Sequence, residues 1–399
     1  MAAPDTGLAV RFETTGRITT NVVEWEIDSA YTISTDGFSF TLFEQDRDLL
    51  RRLELQPVEL IVNGASQCLG RIDTTERGNS AFTLRCEGRD YIADFVESNV
   101  DPFKKITPKT QLGDAVLDIL RPSGVRTVTD FENILMAEVR TGKGAGNIKR
   151  KKRKSPRAKP VEDYKPRLGE GQYALCNRLV ARFGATIQPG VQRSDIVIDS
   201  PDYTQEPSYE LRRTNDPQSS ASNNIVSASA RRDYSSFPTY SIFTGTGATD
   251  KAKKGAPIYL PIDMQVLAEA FNTELGEIIT NGIQVGRSQE GDPVVLYRLL
   301  VARDEESRDR DQLLAFGQRA IASRLKDTLV YNAVVKGHVD PETGLVWSVN
   351  TMVNVKDEIA DVNEPLWIHR RTLRYDGASG PTTEIECWRP ESYQIEVES

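Results

Sequence analysis

Five stretches near the start of the chain place an apolar side chain at every second position. Leu8, Val10 and Phe12 alternate with polar or small neighbours, and Val23, Trp25 and Ile27 alternate with Glu24 and Glu26. Phe38, Phe40 and Leu42 repeat the pattern, as do Val58, Leu60 and Val62, then Phe82, Leu84 and Cys86. A period of two puts all the apolar side chains of a strand on one face, so these stretches must pair into a sheet with one buried side. The charged run from Gln45 to Leu55 lacks turn residues and reads as a short helix between strands. Several strands and one helix fit a small antiparallel barrel or sandwich over residues 1–96.

The pattern changes from residue 97 onward. Thr107 followed by Pro108 is a helix start, with Thr at the N-cap and Pro at the first helical position. Leu112, Val116, Ile119 and Leu120 then share one helical face, and Pro122 and Gly124 end it. Val125 to Val128 reads as a strand. A second helix, Tyr173 to Phe183, carries Leu175, Cys176, Leu179, Val180 and Phe183 on one side, with Gly184 as its C-cap. Ala185 to Gln188 and Ile196 to Ile198 make a hairpin around Pro189 and Gly190. Residues 97–207 are therefore an α/β unit.

Strand patterns return over 208–399. They cover Ile225 to Arg231, Thr239 to Thr244, Val294 to Val301, Leu329 to Val339, Val346 to Val349, Met352 to Val355, Leu366 to Tyr375 and Thr383 to Trp388. A mixed segment from about 245 to 327 is inserted among them. It holds an expected helix at Asp263 to Ile279 and a longer one at Arg308 to Lys326. The order β, α/β, β suggests two related β units. The fold class is mainly β with an α/β insert (α+β).

The 399 residues, 38% of them apolar, are too many for one ordinary core and suggest two to four compact units. The N-terminal stretch, Met1 to Gly16, has no continuous apolar core, so no signal peptide is expected, and no membrane-spanning segment is found. Four scattered cysteines without CxxC spacing suggest reduced thiols rather than zinc or disulfides.

Charge is distributed unevenly. Between Lys143 and Lys159 stand nine cations and no acid, within a loop spanning 141–166. With a net charge of −8, the rest of the chain carries about −17. The core of this loop, Lys149, Arg150, Lys151, Lys152, Arg153 and Lys154, is the candidate interaction site. Three readings stay open: a solvated insertion, docking onto an acidic protein surface of a neighbouring subunit, or contact with nucleic-acid phosphates. No aromatic residue is interleaved except Tyr164 at the edge, so base stacking is not indicated.

Catalytic signals are sparse. Two histidines, His338 and His369, are few for a hydrolase, and each reads as a strand or strand-end polar residue. No GxSxG, HExxH or GxxxxGK[ST] motif occurs. The glycine runs at Gly142 to Gly146 and Gly245 to Gly247 are not followed by a helix start that would bind phosphate. Asp304, Glu305, Glu306, Asp309 and Asp311 sit among arginines and read as a solvated, self-paired surface. No catalytic residue, metal site or cofactor is therefore expected.

Several segments together resemble one family. Glu87 to Ser98 (EGRDYIADFVES) resembles the segment that closes the first β domain of baseplate hub proteins of Mu-like contractile-tailed phages, the late control or tail hub family. Ile106 and Thr107, the helix to Leu120 and Pro122 to Val125 also fit. So do Gly169 to Gly171, Ala181 to Gly184, and Asn224 to Ser229 with Arg232 and Asp233. Val334 to His338, Gly344 to Trp347 and Asn350 to Val355 resemble the family's C-terminal β unit. The basic loop and the stretch from Thr244 to Asp292 depart from the pattern by being longer.

The resemblance implies two tail-tube-like antiparallel β-barrel domains separated by an α/β domain, assembled as a ring-shaped homotrimer. It implies a structural hub that joins the central spike protein to the hexameric tail tube and seeds tube assembly. Implied partners are the spike, the tail tube or tube-initiator protein, baseplate wedge proteins, the tape measure protein and, transiently, passing DNA. The implied location is the tail baseplate of the virion, made and assembled in the host cytoplasm. The rivals are the hub-like part of a type VI secretion spike and a tail-associated peptidoglycan hydrolase. Neutralising Lys149 to Lys154 is expected to shift the melting temperature by no more than about 2 °C, because exposed charges contribute little to stability. A thermal melt of the substituted chain checks this; a large drop would mean that the loop is buried and paired.

Overall fold

The structure, a computed structural model, describes residues 7–43, 53–77, 82–101, 112–130, 166–181, 185–203, 205–216, 223–238, 240–245, 258–259, 278–279, 282–287, 293–296, 298–304, 310–390 and 392. The described residues of the first unit form seven strands: β1 (Leu8–Phe12), β2 (Arg17–Thr19), β3 (Val22–Ala30), β4 (Gly37–Phe43), β5 (Pro57–Val62), β6 (Ala65–Arg77) and β7 (Thr83–Asp90). The alternating residues of β1, β4 and β5 are buried in one cluster. Two positions differ from expectation. The ladder between β3 and β4 slips by one residue between Val22 and Glu24, so Val22 enters the core and Val23 is 38% exposed. Phe82 precedes β7 and is exposed to the same degree. Of the helix expected over Gln45 to Leu55, only 53–55 are described, and they form a turn with Leu55 at φ 63°. A short helix not anticipated from the sequence, α1 (Ala93–Glu97), follows β7; Asp90 accepts the Ile92 N–H at 3.0 Å and turns the chain into it.

The α/β unit contains α2 (Leu112–Leu120), a 3-10 turn (Arg121–Ser123), β8 (Thr127–Asp130), α3 (Gln172–Ala181), β9 (Thr186–Pro189) and β10 (Asp195–Asp199). Gly124 closes the turn at φ 95°, a left-handed position that favours glycine. β10 pairs β8 in parallel and β9 antiparallel. The expected helical faces of α2 and α3 meet in a core that also takes Tyr91 and Phe95 from the first unit. Thr107, Pro108 and Gly184 lie outside the described residues, as does the whole basic run from Lys143 to Lys159.

The third unit holds β11 (Tyr209–Arg213), β12 (Ile225–Arg231), β13 (Tyr240–Gly245), β14 (Ile258–Tyr259), β15 (Ile278–Ile279), β16 (Gly282–Arg287), β17 (Pro293–Leu296), β18 (Leu299–Asp304), α4 (Arg310–Thr328), β19 (Val330–Lys336), β20 (Thr351–Asp357), β21 (Val362–Asp376) and β22 (Gly380–Trp388). The single strand expected over Val294 to Val301 is two strands in different small sheets. Of the helix expected over Asp263 to Ile279, only Ile278–Ile279 is described, as a strand. Val346 to Val349 is not a strand: Val346 forms an isolated bridge to Val339, around a turn whose Asp340 accepts the Glu342 N–H.

The two β units are not separate barrels, and no closed barrel forms among the described residues. They share one 13-stranded sheet with the path β12-β19-β22-β21-β3-β4-β7-β6-β5-β1-β2 and a β20-β11 branch. β21 makes this continuity possible. On one side it pairs β22 along most of its length. On the other, Val362 to Ile368 pairs β20, and Arg370 to Tyr375 pairs β3. Leu373 thereby enters the first unit's core.

The two units repeat each other in register. Val22↔Leu42 followed by a bulge and Glu24↔Thr41 corresponds to Ile225↔Val335, a bulge and Ser227↔Val334. Phe40↔Cys86 corresponds to Ala333↔Ile385. Ile72↔Gly88, a bulge and Thr74↔Glu87 corresponds to Ile368↔Cys387, a bulge and Arg370↔Glu386. So β3, β4, β7 and β6 match β12, β19, β22 and β21 residue by residue, bulges included. The match ends behind this wall: β1 pairs β5 antiparallel, whereas β11 pairs β20 in parallel.

Gly88 tests the packing of the first unit. A Cβ there would collide with the Arg71 carbonyl and the Phe38 ring, both within the van der Waals limit. Gly88→Ala is expected to destabilise by about 1–3 kcal/mol through forced backbone shifts. Gly377→Ala, where nothing lies within 4 Å, serves as the control. Denaturant unfolding of both variants checks the difference.

Candidate interaction surfaces

The described residues offer little for chemistry. No group of three His, Cys, Asp or Glu side chains among them is placed to hold a metal ion. Cys68, Cys86, Cys176 and Cys387 are buried thiols outside any disulfide. Of the acidic run considered above, residues 305–309 lie outside the described set. No described helix is long and apolar enough to cross a membrane.

What the fold does assemble is a polar joint where the two β units meet. Arg371, on β21 opposite Ser29 of β3, is 6% exposed and donates to the Trp347 carbonyl. Burial lowers its pKa, partly offset by the Asp36 charge. Asp36 and Asp90 face each other across the β3-β4 and β7-α1 turns. Asp90 accepts the Asp36 N–H at 3.1 Å, and the Asp90 N–H donates to the Asp36 carbonyl at 3.0 Å. Asp36 is only half-buried as a residue, yet burial still dominates at its carboxyl and raises the pKa to about 6, with Arg371 pulling back part of the rise. Burial raises Asp90 as well, and the Asp36 charge adds to it. His338 is buried with its ring 4.7 Å from Trp25 of β3. Burial, then Arg371, lowers its pKa to about 4.

A second joint gathers all three units. Tyr31 of the first unit meets Trp367 edge-on at 5.4 Å, and Tyr203 meets the same ring edge-on at 5.5 Å. Gln188 of the α/β unit donates to the Tyr31 carbonyl at 3.3 Å. His369 stacks on Trp388 at 3.6 Å and shares a 2.6 Å hydrogen bond with Thr32. Burial, with Lys326 and Arg370 nearby, lowers its pKa to about 3. Both histidines are therefore neutral packing groups.

The outward face of the shared sheet is a ladder of paired charges. Arg370 donates two bonds to the Asp28 carboxylate at 2.8 and 2.7 Å, and the Thr372 hydroxyl adds a third at 2.8 Å. Arg374 lies 3.2 Å from Glu26 and 3.8 Å from Glu384. Thr41 donates to Glu24 at 2.9 Å, and Arg85 to Glu87 at 3.0 Å. Ser227, Asn332 and Glu386 extend this face to β12 as a shallow trough. Such a surface binds water and its own opposite charges. The basic residues Lys149, Arg150, Lys151, Lys152, Arg153 and Lys154 lie outside the described residues, between β8 and α3. The Asp36–Asp90–Arg371 joint was not anticipated. Its only sequence signals are a charged residue, Arg371, two positions before the apolar Leu373 of an alternating stretch, and the Asp90 that precedes a turn.

Solved structures share this architecture over its full length. A tail protein from Neisseria meningitidis MC58 superposes with a TM-score of 0.65 at 16% identity, covering 97% of both chains. The 43 kDa tail protein of prophage MuSo2 from Shewanella oneidensis gives 0.65 at 17% identity, covering 98% of this chain and 99% of that one. The chain has the fold of prophage tail proteins. The Francisella PdpA–VgrG complex also contains it, with a TM-score of 0.54 at 9% identity over 98% of this chain and 53% of that one. No family model and no curated protein sequence matches the chain.

The joint makes stability depend on pH in opposing ways. Unfolded histidine takes a proton near 6.5, but folded His338 waits until about 4, so its contribution is lost as pH falls through that window. Asp36 takes its proton near 6 when folded and near 3.8 when unfolded, so it stabilises as pH falls between those values. His338→Gln is expected to remove up to about 3 kcal/mol of the acid-side loss. Asp36→Asn should remove the opposing gain. Urea unfolding from pH 7.5 to 4 separates them by the sign of the slope change.

Proposed function

We propose that the chain is a structural hub of a contractile phage tail baseplate, acting as a homotrimer and not as an enzyme. The observation that carries this reading is a fold shared end to end with prophage tail proteins and built from two register-matched β units. Three copies would then present six similar β walls around one axis. Such a ring joins a three-fold spike on one side to a six-fold tail tube on the other without mismatched contacts. The units 1–96, 97–207 and 208–399 would be the first wall, a peripheral α/β domain and the second wall. The paired-charge face would line the bore, where a hydrated, self-neutralised surface resists sticking to the tape measure or to passing DNA. Wedge proteins would meet the outer side, and the basic loop Lys149 to Lys154 would dock on an acidic surface of a neighbouring subunit. The resulting place is the virion baseplate.

A second reading is the hub-like part of a type VI secretion spike, favoured by the likeness to about half of one chain of the Francisella PdpA–VgrG complex. Co-assembly with tail tube and spike proteins from a contractile phage decides between them. A cell-wall hydrolase is the enzymatic rival, and clear lysis on a peptidoglycan zymogram would favour it. For the leading reading, light scattering after gel filtration should give three times the chain mass, alone or with the spike protein. A strict monomer under both conditions would overturn it.

A further inference from the structure

We propose that the polar joint between the two β units encloses a bound water, held by the Arg371 Nε–H, the Trp347 Nε1–H and the lone pair of His338 Nε2. The site lies within one chain and does not depend on how copies assemble.

The argument starts from Arg371. It is a buried cation, 6% exposed, and it forms no ion pair among the described residues. One terminal nitrogen donates to the Trp347 carbonyl, while its Nε–H has no protein partner among the described residues. The Asp36 charge acts on it from beyond contact. Two further buried atoms of the same joint are in the same state. They are the indole Nε1 of Trp347, a residue 0% exposed, and Nε2 of His338, a residue 3% exposed. Buried polar atoms are paired in the large majority of cases, because a bare one loses its hydration without replacement. Three such atoms around one buried charge point to a small polar molecule that serves them together.

The backbone brings the three residues side by side. Val339 bridges Val346, and the Trp347 N–H donates to the His338 carbonyl at 3.2 Å. Residues 338 and 347 are therefore directly opposite one another, which makes their side chains neighbours on one face. Arg371 reaches the carbonyl of the same Trp347. The ring of Trp25 lies 4.7 Å from that of His338, and the ring of Tyr209 lies 4.8 Å from that of Trp347.

Hydrogen-bond roles fix the class of ligand. Arg and Trp side chains only donate. The Thr383 hydroxyl gives its proton to the Gly337 carbonyl at 2.7 Å, so it can only accept from His338 Nδ1, 3.4 Å away. Burial, then Arg371, keeps the His338 ring neutral. Its one proton therefore sits on Nδ1, and Nε2 is an acceptor. The site needs a ligand that accepts twice and donates once. Water does both, and a buried water makes about three hydrogen bonds. A halide has no proton for Nε2, and a metal cation is repelled by Arg371. The second water hydrogen is available to the Asp36 carboxyl, which links the two charges without contact.

The aromatic joint supplies the contrast. Trp367 is also 0% exposed, but its Nε1–H is taken by the Asn350 side chain at 3.1 Å. One joint is closed by protein groups alone, and the other takes a water.

A high-resolution crystal structure of the full chain tests the site. It should show one ordered water within about 3.2 Å of at least two of Arg371 Nε, Trp347 Nε1 and His338 Nε2. Direct bonds among these side chains with no water between them would overturn the proposal. X-ray radiolysis tests it in solution, because a bound water yields hydroxyl radical that oxidises the nearest ring where bulk solvent cannot reach. Mass spectrometry should find Trp347 oxidised several-fold faster than Trp367, its equally buried control; equal rates count against the site. His338→Phe, which removes the acceptor, should bring Trp347 down to the rate of Trp367. An excess that persists in this variant would place the water elsewhere and overturn the assignment.

Discussion

The six residue pairs between β21 and β3 hold the two β units as one body, and most of what the molecule can do follows from them. The ladder has two sides with different physics. Outward, Arg370 and Thr372 converge on Asp28 in an exposed cluster worth little by itself but specific in geometry. Inward, Leu373 completes the core of the first unit, although β21 follows the whole α/β unit and most of the third unit along the chain. The first unit therefore cannot finish burying its core until β21 is available. Such long-range pairing is slow to form, and it makes the two units cooperative rather than independent.

Beside the ladder, the interior is polar where a purely structural joint would be expected to be apolar. Arg371 is buried with Asp36 and Asp90 near it, and removing one member of such a set costs far more than the set contributes. What a buried charge set supplies is register. A slip of β21 by one residue would turn Arg371 to the outside and Arg370 inward, stranding a charge without the Trp347 carbonyl. The aromatic joint adds a third point of fixation, because Tyr31, Tyr203 and Trp367 come from different parts of the chain. Two joints and one ladder leave little freedom for the units to rotate against each other.

The sequence made the strands visible and left their partners hidden. Alternation located β1, β4, β5, β12 and β22 closely, because each buries a single face. It misassigned Val23 because a bulge moves the inward position by one, and a bulge has no compositional signature. It merged β17 with β18 because both are apolar and only residues 297 and 298 separate them. Two barrels were implied by the family resemblance, whereas the strand pattern alone left barrel and sandwich both open for the first unit. Nothing in the residues of β21 states that fifteen positions serve two partners in succession, and that fact alone turns two barrels into one sheet. The same limit applies to the Asp36–Asp90–Arg371 joint, where Asp36 and Asp90 are 54 positions apart and Arg371 comes from a different β unit.

The register match between the units is more informative than their low likeness in sequence suggests. Matched positions hold Trp25 and Ala228, Ile27 and Ala230, Phe40 and Ala333, so side-chain volume has not been kept. What has been kept is the backbone path, down to two bulges. Core volume can drift whenever neighbours compensate, but a bulge sets the direction of every later side chain on its strand. Retention of both bulges with free exchange of the core is the outcome expected where the wall's outward geometry is constrained and its filling is not. The strands behind the wall fit the same view, since β1 and β11 run in opposite senses relative to their partners. In the proposed ring, such a wall would be constrained only at the surface it shows to the axis and at the edges through which it meets its neighbours.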